Sequence, residues 1–328
     1  MAILKFWKGR RVLITGYAGF LGSWLTKQLL ELDADVVGLD IRRKEASPIL
    51  KDAILDLKCI KADVADLKMV RKIINKHKPE IIFHLAAQAI VGEAVNLPVR
   101  TFKSNIEGTW NILEACRGNK FVEAIVVASS DKAYGSHKTL PYRENMPLQG
   151  NFPYDVSKSC ADLLAYTYFK TYNLPVCVTR CGNIFGPGDL HFSRIVPDTI
   201  RSFIKDRRFI IRSDGLFTRD YIYVEDVSRG YILLAEKMRK KKLYGESFNF
   251  SNEKPLNVIK LFEKIVNVAG DYNLKPKILN RAKYEIRHQY LCAQKARKIL
   301  GWKPAYNLET GLKISIDWYR NFLNKTKR

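Results

Sequence analysis

The chain has 328 residues, of which 47% are hydrophobic and 27% charged, and this composition excludes a disordered protein. No apolar run approaches the roughly 20 residues that cross a bilayer, and the start MAILKFWKGRRV lacks a signal-peptide pattern, so we expect a soluble cytoplasmic protein. The formal net charge of +23 is spread along the chain without a zinc-finger or RNP-type motif, which excludes nucleic acid as the natural partner and favours attraction of an anionic substrate.

The six cysteines form no CxxC pair, and no histidine lies at metal-ligand spacing from any of them. Most of them stand in apolar segments, where cysteine packs as a small core residue. The sequence therefore predicts no metal site and no disulfide framework.

Strands and helices alternate through the first half of the chain. The predicted strands are 11–15, 35–39, 57–61, 81–85, 124–129 and 176–180, and the predicted helices are 21–31, 67–76, 98–116 and 155–172. Strands that are apolar throughout and alternate with helices are typical of a parallel sheet covered on both faces. We predict an α/β fold with a Rossmann-type doubly wound parallel sheet.

After residue 186 the pattern changes to loops between shorter helices, at 196–203, 258–269 and 294–300. We predict a sheet domain over residues 1–185, to which part of 217–250 returns, and a smaller mixed lobe over 186–328. No linker rich in Pro, Gly or Ser separates the two parts.

A glycine-rich turn joins the first strand to the first helix, with Gly16, Gly19 and Gly22 at GxxGxxG spacing. Such a turn lets backbone N–H groups and a helix N-terminus approach a pyrophosphate. Asp40 ends the second strand, where an acid accepts hydrogen bonds from an adenosine ribose and favours NAD. Arg42 and Arg43 follow and keep NADP open as the alternative.

Tyr154 and Lys158 form a YxxxK motif, whose spacing puts both side chains on one face of a helix. A neighbouring ammonium lowers the pKa of a phenol, so we expect Tyr154 to act as a base toward a substrate hydroxyl. Ser130, Asp131 and Lys132 follow a strand directly, at the edge where open α/β sheets bind ligands.

Together with HLAAQ (84–88), NIEGT (105–109), RCGNIFGP (180–187) and RDYIYV (219–224), these motifs resemble the extended short-chain dehydrogenase/reductase family of sugar-nucleotide epimerases and dehydratases. The resemblance implies NAD and a nucleotide-activated sugar. It implies cofactor contacts by Gly16, Gly19, Phe20, Leu21, Gly22, Asp40, Asp63, Val64, Leu85, Ala86, Ala87, Tyr154 and Lys158. It implies substrate contacts by Gln88, Asn105, Asn183, Val196, Arg212, Arg219 and Arg287. For Asp63 a helix-capping role is the alternative.

Two reactions stay open within this family. A C4 epimerase, acting on a sugar such as UDP-glucose, needs little beyond Ser, Tyr and Lys, whereas a 4,6-dehydratase needs a further acid and base. Asp131 and Lys132 stand where sugar-nucleotide 4,6-dehydratases carry Asp-Glu or Asp-Lys, so we expect Ser130 and Tyr154 at the C4 hydroxyl, Asp131 as acid at C6 and Lys132 as base at C5. The opening segment resembles the CDP-glucose 4,6-dehydratases most, and GDP-mannose-like, UDP- and dTDP-sugars remain alternatives.

The helices at 98–116 and 155–172 carry apolar side chains on more than one face. One face must pack on the sheet, and the second can pair with another copy of the chain. We predict a homodimer formed through a four-helix bundle.

Overall fold

The computed structural model describes residues 2–42, 47–51, 57–270 and 275–325. Its strands are β1 (Arg11–Thr15), β2 (Asp35–Asp40), β3 (Lys58–Lys61), β4 (Ile81–His84), β5 (Ala124–Ala128), β6 (Val176–Cys181), β7 (Asn183–Phe185), β8 (Ile210–Ile211), β9 (Thr218–Arg219), β10 (Tyr221–Tyr223), β11 (Ser247–Phe250), β12 (Leu256–Asn257) and β13 (Lys277–Ile278).

The α-helices are α1 (Ala2–Trp7), α2 (Phe20–Glu31), α3 (Leu67–His77), α4 (Val91–Asn96), α5 (Pro98–Phe102), α6 (Gly108–Cys116), α7 (Pro153–Tyr172), α8 (Ile195–Ile204), α9 (Val224–Lys241), α10 (Val258–Ala269) and α11 (Leu308–Lys325). In the part of the chain that the structure describes, the helical structure also includes two π-helical turns, Lys103–Glu107 and Ala296–Leu300, and one 3₁₀ turn, Asp131–Tyr134. Within these ranges, no helix is both long enough and apolar enough to cross a membrane.

Seven strands form one parallel sheet in the order β11-β6-β5-β4-β1-β2-β3. From β1 to β3 the strands are added toward one edge of the sheet, and from β4 to β6 they are added toward the other edge. The order of strands therefore reverses between the parallel neighbours β1 and β4. In such a sheet the crevice at the carboxyl ends of these two strands binds ligands. The predicted Rossmann-type doubly wound sheet is confirmed.

Helices cover both faces of the sheet because its strands alternate their side chains between two cores. In β1, Ile14 packs with α2 and α9 on one face, and Leu13 packs with α3, α6 and α7 on the other. Both side chains are fully buried. A third core joins α8, α10 and α11 in the smaller lobe, around Phe185, Leu261 and Leu312.

After residue 186 the chain returns to the sheet domain, since β11 pairs with β6 in the sheet and α9 packs on α2. The sheet domain therefore contains segments from both sides of the predicted boundary near 185/186, and that boundary stays a prediction.

The helices differ from their predicted positions in several places, and α4, α9 and α11 were not among the predicted helices. The short helix α1 precedes the first strand, where the sequence predicted none, and buries Trp7 against Phe83. The predicted helix over 98–116 is interrupted by the π-turn between α5 and α6. Helix α7 starts at Pro153 rather than residue 155, because proline lacks the N–H that the first helical turn leaves unpaired.

Candidate active site

A cleft of 1320 Å³ opens at the carboxyl ends of the sheet strands and is closed on its far side by the smaller lobe. Every residue that the sequence predicts as a catalytic or cofactor contact lines this cleft. Of the seven predicted substrate contacts, five do so: Gln88, Asn183, Val196, Arg212 and Arg219.

The glycine turn forms one wall of the cleft. Gly16 has φ +76°, which favours glycine, and a Cβ atom on it would lie 2.7 Å from the backbone nitrogen of Ala86. A Cβ atom on Gly22 would lie 2.1 Å from the carbonyl oxygen of Gly16, so this helix can start against the turn only with glycine there. No side chain caps the N-terminus of α2. These features fit a bound pyrophosphate.

Asp40 lies buried beside this turn, at the end of β2. One carboxylate oxygen accepts from the backbone N–H of Ala18 at 3.2 Å, and the other accepts from the backbone N–H of Arg42 at 2.9 Å. The Arg42 side chain is exposed, lines the cleft and forms an ion pair with Asp40 at 3.4 Å. Arg43, the other candidate for a 2′-phosphate contact, lies outside the described residues.

Asp63 and Val64 lie at the adjoining end of the cleft, and the Asp63 side chain accepts from the backbone N–H of Ala65 at 2.9 Å. The N-cap of α3 is Asp66, which accepts from the backbone N–H of Met69. Asp63 therefore caps the turn before the helix and does not cap the helix itself, so its predicted alternative role is corrected.

A buried polar network supports the 85–88 loop from below. His84 Nδ1 lies 2.7 Å from Thr15 Oγ1, and His84 Nε2 lies 3.1 Å from Thr109 Oγ1. The same Thr15 hydroxyl accepts from the backbone N–H of Ala86. Burial lowers the pKa of His84 to about 3, so the imidazole is neutral at physiological pH and each ring nitrogen can serve one threonine.

Asn105 does not reach the cleft, and its predicted substrate contact is corrected. Its side chain is 1% exposed, and its Oδ1 accepts from the backbone N–H of Gln88 at 2.7 Å. Its Nδ2 donates to the carbonyl of Gln88 and to the hydroxyl of Ser157. Asn105 lies in the π-turn Lys103–Glu107. Because both ends of its amide are hydrogen-bonded, it holds the 85–88 loop against α7.

Tyr154 and Lys158 lie one turn apart on α7 and face the cleft. Lys158 Nζ donates to the carbonyl of Ala128 at 2.7 Å and lies 6.0 Å from the centre of the Tyr154 ring. Burial lowers the pKa of Lys158 to about 8, and burial raises the pKa of Tyr154 to about 12 although a hydrogen bond to Ser130 and the charge of Arg194 lower it. The predicted lowering of the Tyr154 pKa is therefore wrong for the protein alone, because desolvation outweighs the nearby positive charges.

Ser130, Asp131 and Lys132 stand together where β5 ends. Ser130 caps the 3₁₀ turn by accepting from the backbone N–H of Lys132, and its hydroxyl donates to Asp131 Oδ1 at 3.0 Å. Burial and then the charge of Arg219 lower the pKa of Lys132, while Asp131 opposes that shift. Burial favours the neutral form of a lysine, and only the neutral amine can accept a proton as a base.

Two further residues of this region were not predicted from the sequence. Gln289 is fully buried and bonds both Asp131 and Lys132, and Arg194 lines the cleft with its charge near Tyr154. Neither belongs to a recognisable motif. The only signal for Gln289 was its place two residues after Arg287.

The smaller lobe supplies the opposite wall of the cleft. Arg219 is 6% exposed, and its guanidinium donates to the carbonyls of Ile286 and Arg287. Arg287 does not line the cleft: its exposed side chain pairs with Asp214 at 2.7 Å, and its predicted substrate contact is not supported. Arg212 and Arg219 place two guanidinium groups on this wall, where Arg219 also pairs with Glu285 at 3.5 Å. Guanidinium groups suit a diphosphate.

Known proteins resemble this chain along almost its whole length. The family model described as GDP-mannose 4,6 dehydratase matches residues 13–315. The CDP-glucose 4,6-dehydratase of Salmonella typhimurium is 30% identical, over 97% of this chain and 93% of that protein. The human dTDP-D-glucose 4,6-dehydratase is 28% identical, over 96% of this chain and 91% of that protein.

Solved structures of both a sugar-nucleotide epimerase and a 4,6-dehydratase are similar to this chain. The UDP-glucose 4-epimerase of Thermotoga maritima, solved with UDP-glucose, superposes with a TM-score of 0.87 at 28% identity, covering 95% of this chain and 99% of that one. A dTDP-glucose 4,6-dehydratase of Streptomyces venezuelae, solved with NAD, has a TM-score of 0.87 at 26% identity, covering 96% and 98%.

Proposed function

This chain belongs to the GDP-mannose 4,6-dehydratase family, and we propose that it is an NAD-dependent 4,6-dehydratase of a nucleotide-activated sugar. The observation that carries the proposal is the placement of Asp131 and Lys132 in the same cleft as Tyr154 and Lys158. Oxidation at C4 needs only Tyr154 and Lys158 together with Ser130. Asp131 and Lys132 add an acid and a base, which the removal of water requires.

The cleft residues fit NAD. The glycine turn and the uncapped start of α2 would hold the pyrophosphate, Asp40 would hold the adenosine ribose, and Ala86 and Ala87 would lie along the cofactor. When bound, NAD⁺ supplies a reversible acceptor for the two electrons that leave C4 and return at C6.

The protein groups move the protons. Tyr154, hydrogen-bonded to Ser130, takes the proton of the C4 hydroxyl. The ammonium of Lys158 is held beside Tyr154 by the hydrogen bond that it donates to the Ala128 carbonyl. Lys132 removes the C5 proton, which the C4 ketone makes acidic, and Asp131 protonates the departing C6 hydroxyl. One water leaves, carrying the Asp131 proton. Lys132 then returns its proton to C5 to give a 4-keto-6-deoxy sugar, while Asp131 takes up a proton from solvent and Tyr154 releases the C4 proton, which restores the starting state.

The substrate that we propose to test first is CDP-glucose. Support comes from the 30% identity to the Salmonella enzyme and from the Asp131-Lys132 pair. Relatives named for dTDP-glucose reach 28–30% identity, so dTDP-glucose belongs to the same first panel.

The rival function is a C4 epimerase, which the likeness to the Thermotoga UDP-glucose 4-epimerase favours. An epimerase has no use for an acid at C6 or a base at C5. The buried position of Asp131 and the desolvation of Lys132 are costs that the dehydratase reaction explains and the epimerase reaction does not.

Substitution of the acid and of the base separates their two roles. In deuterated water, Lys132→Met should abolish deuterium exchange at C5 together with water loss, because no base remains. Asp131→Asn should keep the C5 exchange but slow water loss by roughly 10²–10⁴-fold, the usual contribution of a general acid. Exchange and mass loss are both read by mass spectrometry of the product.

Lys170→Met, an exposed position on α7 outside the cleft, is the matched control and should behave as the unmodified enzyme. Equal, small effects of all three substitutions would contradict the proposed roles.

We also propose that the enzyme works as a homodimer in the cytoplasm. Of the apolar residues on these two predicted helices, Ile112 and Leu113 are buried in the core, whereas Trp110, Leu163 and Tyr166 are 41%, 55% and 51% exposed. These three side chains on α6 and α7 support a face that a second copy covers. Fractionation of the source cells tests the location.

A further inference from the structure

The buried amide of Gln289 joins the two groups of the proposed acid–base pair. Its Nε2 donates to Asp131 Oδ2, and its Oε1 accepts from Lys132 Nζ at 3.1 Å. The residue is fully buried, and its backbone N–H donates to the Thr218 carbonyl in β9 at 3.1 Å. This bond fixes the segment around Gln289 to the smaller lobe. One side chain of that lobe therefore bonds both Asp131 and Lys132, which belong to the sheet domain.

The polarity of an amide makes this arrangement selective for protonation state. Its nitrogen end only donates and its oxygen end only accepts, and its bonds are about twice as strong when the partner is charged. Asp131 receives a second donor, the Ser130 hydroxyl, at its other oxygen. As oriented here, the amide favours an ionised Asp131 and a protonated Lys132 together.

The proposed elimination starts from the opposite allocation, with a protonated Asp131 and a neutral Lys132. The C5 proton passes to Lys132, and the Asp131 proton leaves in the water, so the step ends in the ionised pair that the observed amide bonds. Turning the amide by 180° about its last bond would point its oxygen at a protonated Asp131 and its NH₂ at the lone pair of a neutral Lys132. Either orientation matches both partners at once.

We propose that Gln289 is a positioning residue that couples the protonation of Asp131 to that of Lys132, so that the pair changes state as one unit. This inference rests on the proposed function for its catalytic consequence but not for the coupling itself. When only one of the two groups changes state, one end of the amide faces the wrong partner.

Other charged and titratable groups face this pair and set its background. Arg219 lowers the pKa of Lys132, whereas Asp131, Asp155 and Glu285 raise it. The groups that feel the charge of Asp131 are Tyr142, Tyr154, Asp155, Cys181 and Asp220. Substitution of Gln289 alone leaves all of these in place.

The first test needs no substrate. In Gln289→Met, which keeps the length of the side chain but not its polarity, Lys132 should titrate at lower pH than in the unmodified protein, because the ammonium loses its acceptor. NMR of isotopically labelled lysine, assigned with Lys132→Met, measures this, and NAD binding and thermal unfolding check that the fold is kept. An unmoved Lys132 titration in a folded variant would overturn the coupling.

The second test uses turnover. Gln289→Met should slow water loss about 10- to 100-fold, the effect of losing bonds to charged groups, with an altered pH profile and little change in KM. Gln289→His should recover much of the rate, because a neutral imidazole also has one donor and one acceptor nitrogen, which its tautomers exchange. Gln289→Glu, which only accepts, should not.

The two tests separate failure of this inference from failure of the proposed function. If the unmodified protein removes water from no sugar nucleotide while Lys132 titrates as predicted, the proposed reaction fails and the coupling stands. If Met, His and Glu variants lose activity equally, with an unchanged pH profile, Gln289 is only structural.

Discussion

Tyr154 is the residue on which the proposed chemistry depends first. Its pKa of about 12 means that the phenol keeps its proton at neutral pH in the protein alone, and its bond to Ser130 places the hydroxyl for transfer. Lys158, with a pKa lowered to about 8, is still mainly charged at neutral pH. Proton transfer from the sugar therefore depends on these neighbours and on the positive charge that an oxidised nicotinamide brings.

Tyr154→Phe should reduce turnover by roughly 10²–10⁴-fold or more, because the variant has no group to accept the C4 proton. NAD affinity, measured by calorimetry, should change little, since only one hydroxyl is lost. Full activity in this variant would exclude the proposed role of Tyr154.

Single residues also show where sequence reasoning succeeds and where it stops. Gly16, Tyr154 and Lys158 belong to local motifs with fixed spacing, so their side of the cleft could be predicted. Gln289 reaches Lys132 across 157 residues of sequence, and no local pattern encodes that contact. Asn105 was found through a motif, and the packing shows that its amide bonds the 85–88 loop and α7 instead of the substrate.

At the scale of elements, the cleft is held by contacts between segments that are distant in the chain. The Thr15–His84–Thr109 network joins β1, β4 and α6 beneath the 85–88 loop. The π-turn between α5 and α6 places Asn105 against that loop, and the sequence read this stretch as one regular helix because a π-turn has no distinct apolar period. Element type was predictable here, whereas the local winding was set by tertiary bonds.

The buried His84 should make stability depend on pH. Its folded pKa, about 3, lies below its ordinary value of 6.5, so between these values the unfolded chain takes up a proton that the folded protein refuses. The free energy of unfolding should therefore fall as pH decreases from 6.5, by at most about 1.4 kcal/mol per pH unit from this group. Burial raises the pKa of Asp155 to about 6 and that of Asp220 to about 7, which gives the opposite slope, so the His84 effect is read by comparing variants.

His84→Gln should remove this acid sensitivity, as measured by denaturant unfolding between pH 4 and pH 7, an interval of roughly the predicted window. His137→Gln keeps the buried His84 and is the matched control, so it should retain the acid sensitivity that His84 confers. A slope that is the same in His84→Gln and in the unmodified protein would show that His84 does not set it.

At the scale of the whole molecule, alternating apolar strands and helices were enough to predict the doubly wound sheet. The return of β11 to that sheet was harder to place, because a four-residue strand far along the chain carries no sign of which edge it joins. The division into lobes and the assembly depend on surfaces that meet across the chain or between copies, and both stay predictions.

The proposed dimer predicts that Trp110→Glu combined with Leu163→Glu yields monomers in analytical ultracentrifugation, because two charges would be buried in an apolar face. Ile314→Glu, a partly exposed position on α11, is the matched control and should stay dimeric. A monomeric unmodified protein would contradict the proposed assembly.

The central claim is the removal of water from a nucleotide-activated sugar, and mass spectrometry of the product tests it most directly. The protein, supplied with NAD⁺, is incubated separately with CDP-glucose, dTDP-glucose, GDP-mannose, UDP-glucose and UDP-N-acetylglucosamine. We expect the loss of one water from one of these sugars, with CDP-glucose first. An unchanged mass with a new stereoisomer by NMR would instead make the protein a C4 epimerase and leave Asp131 and Lys132 without a catalytic role.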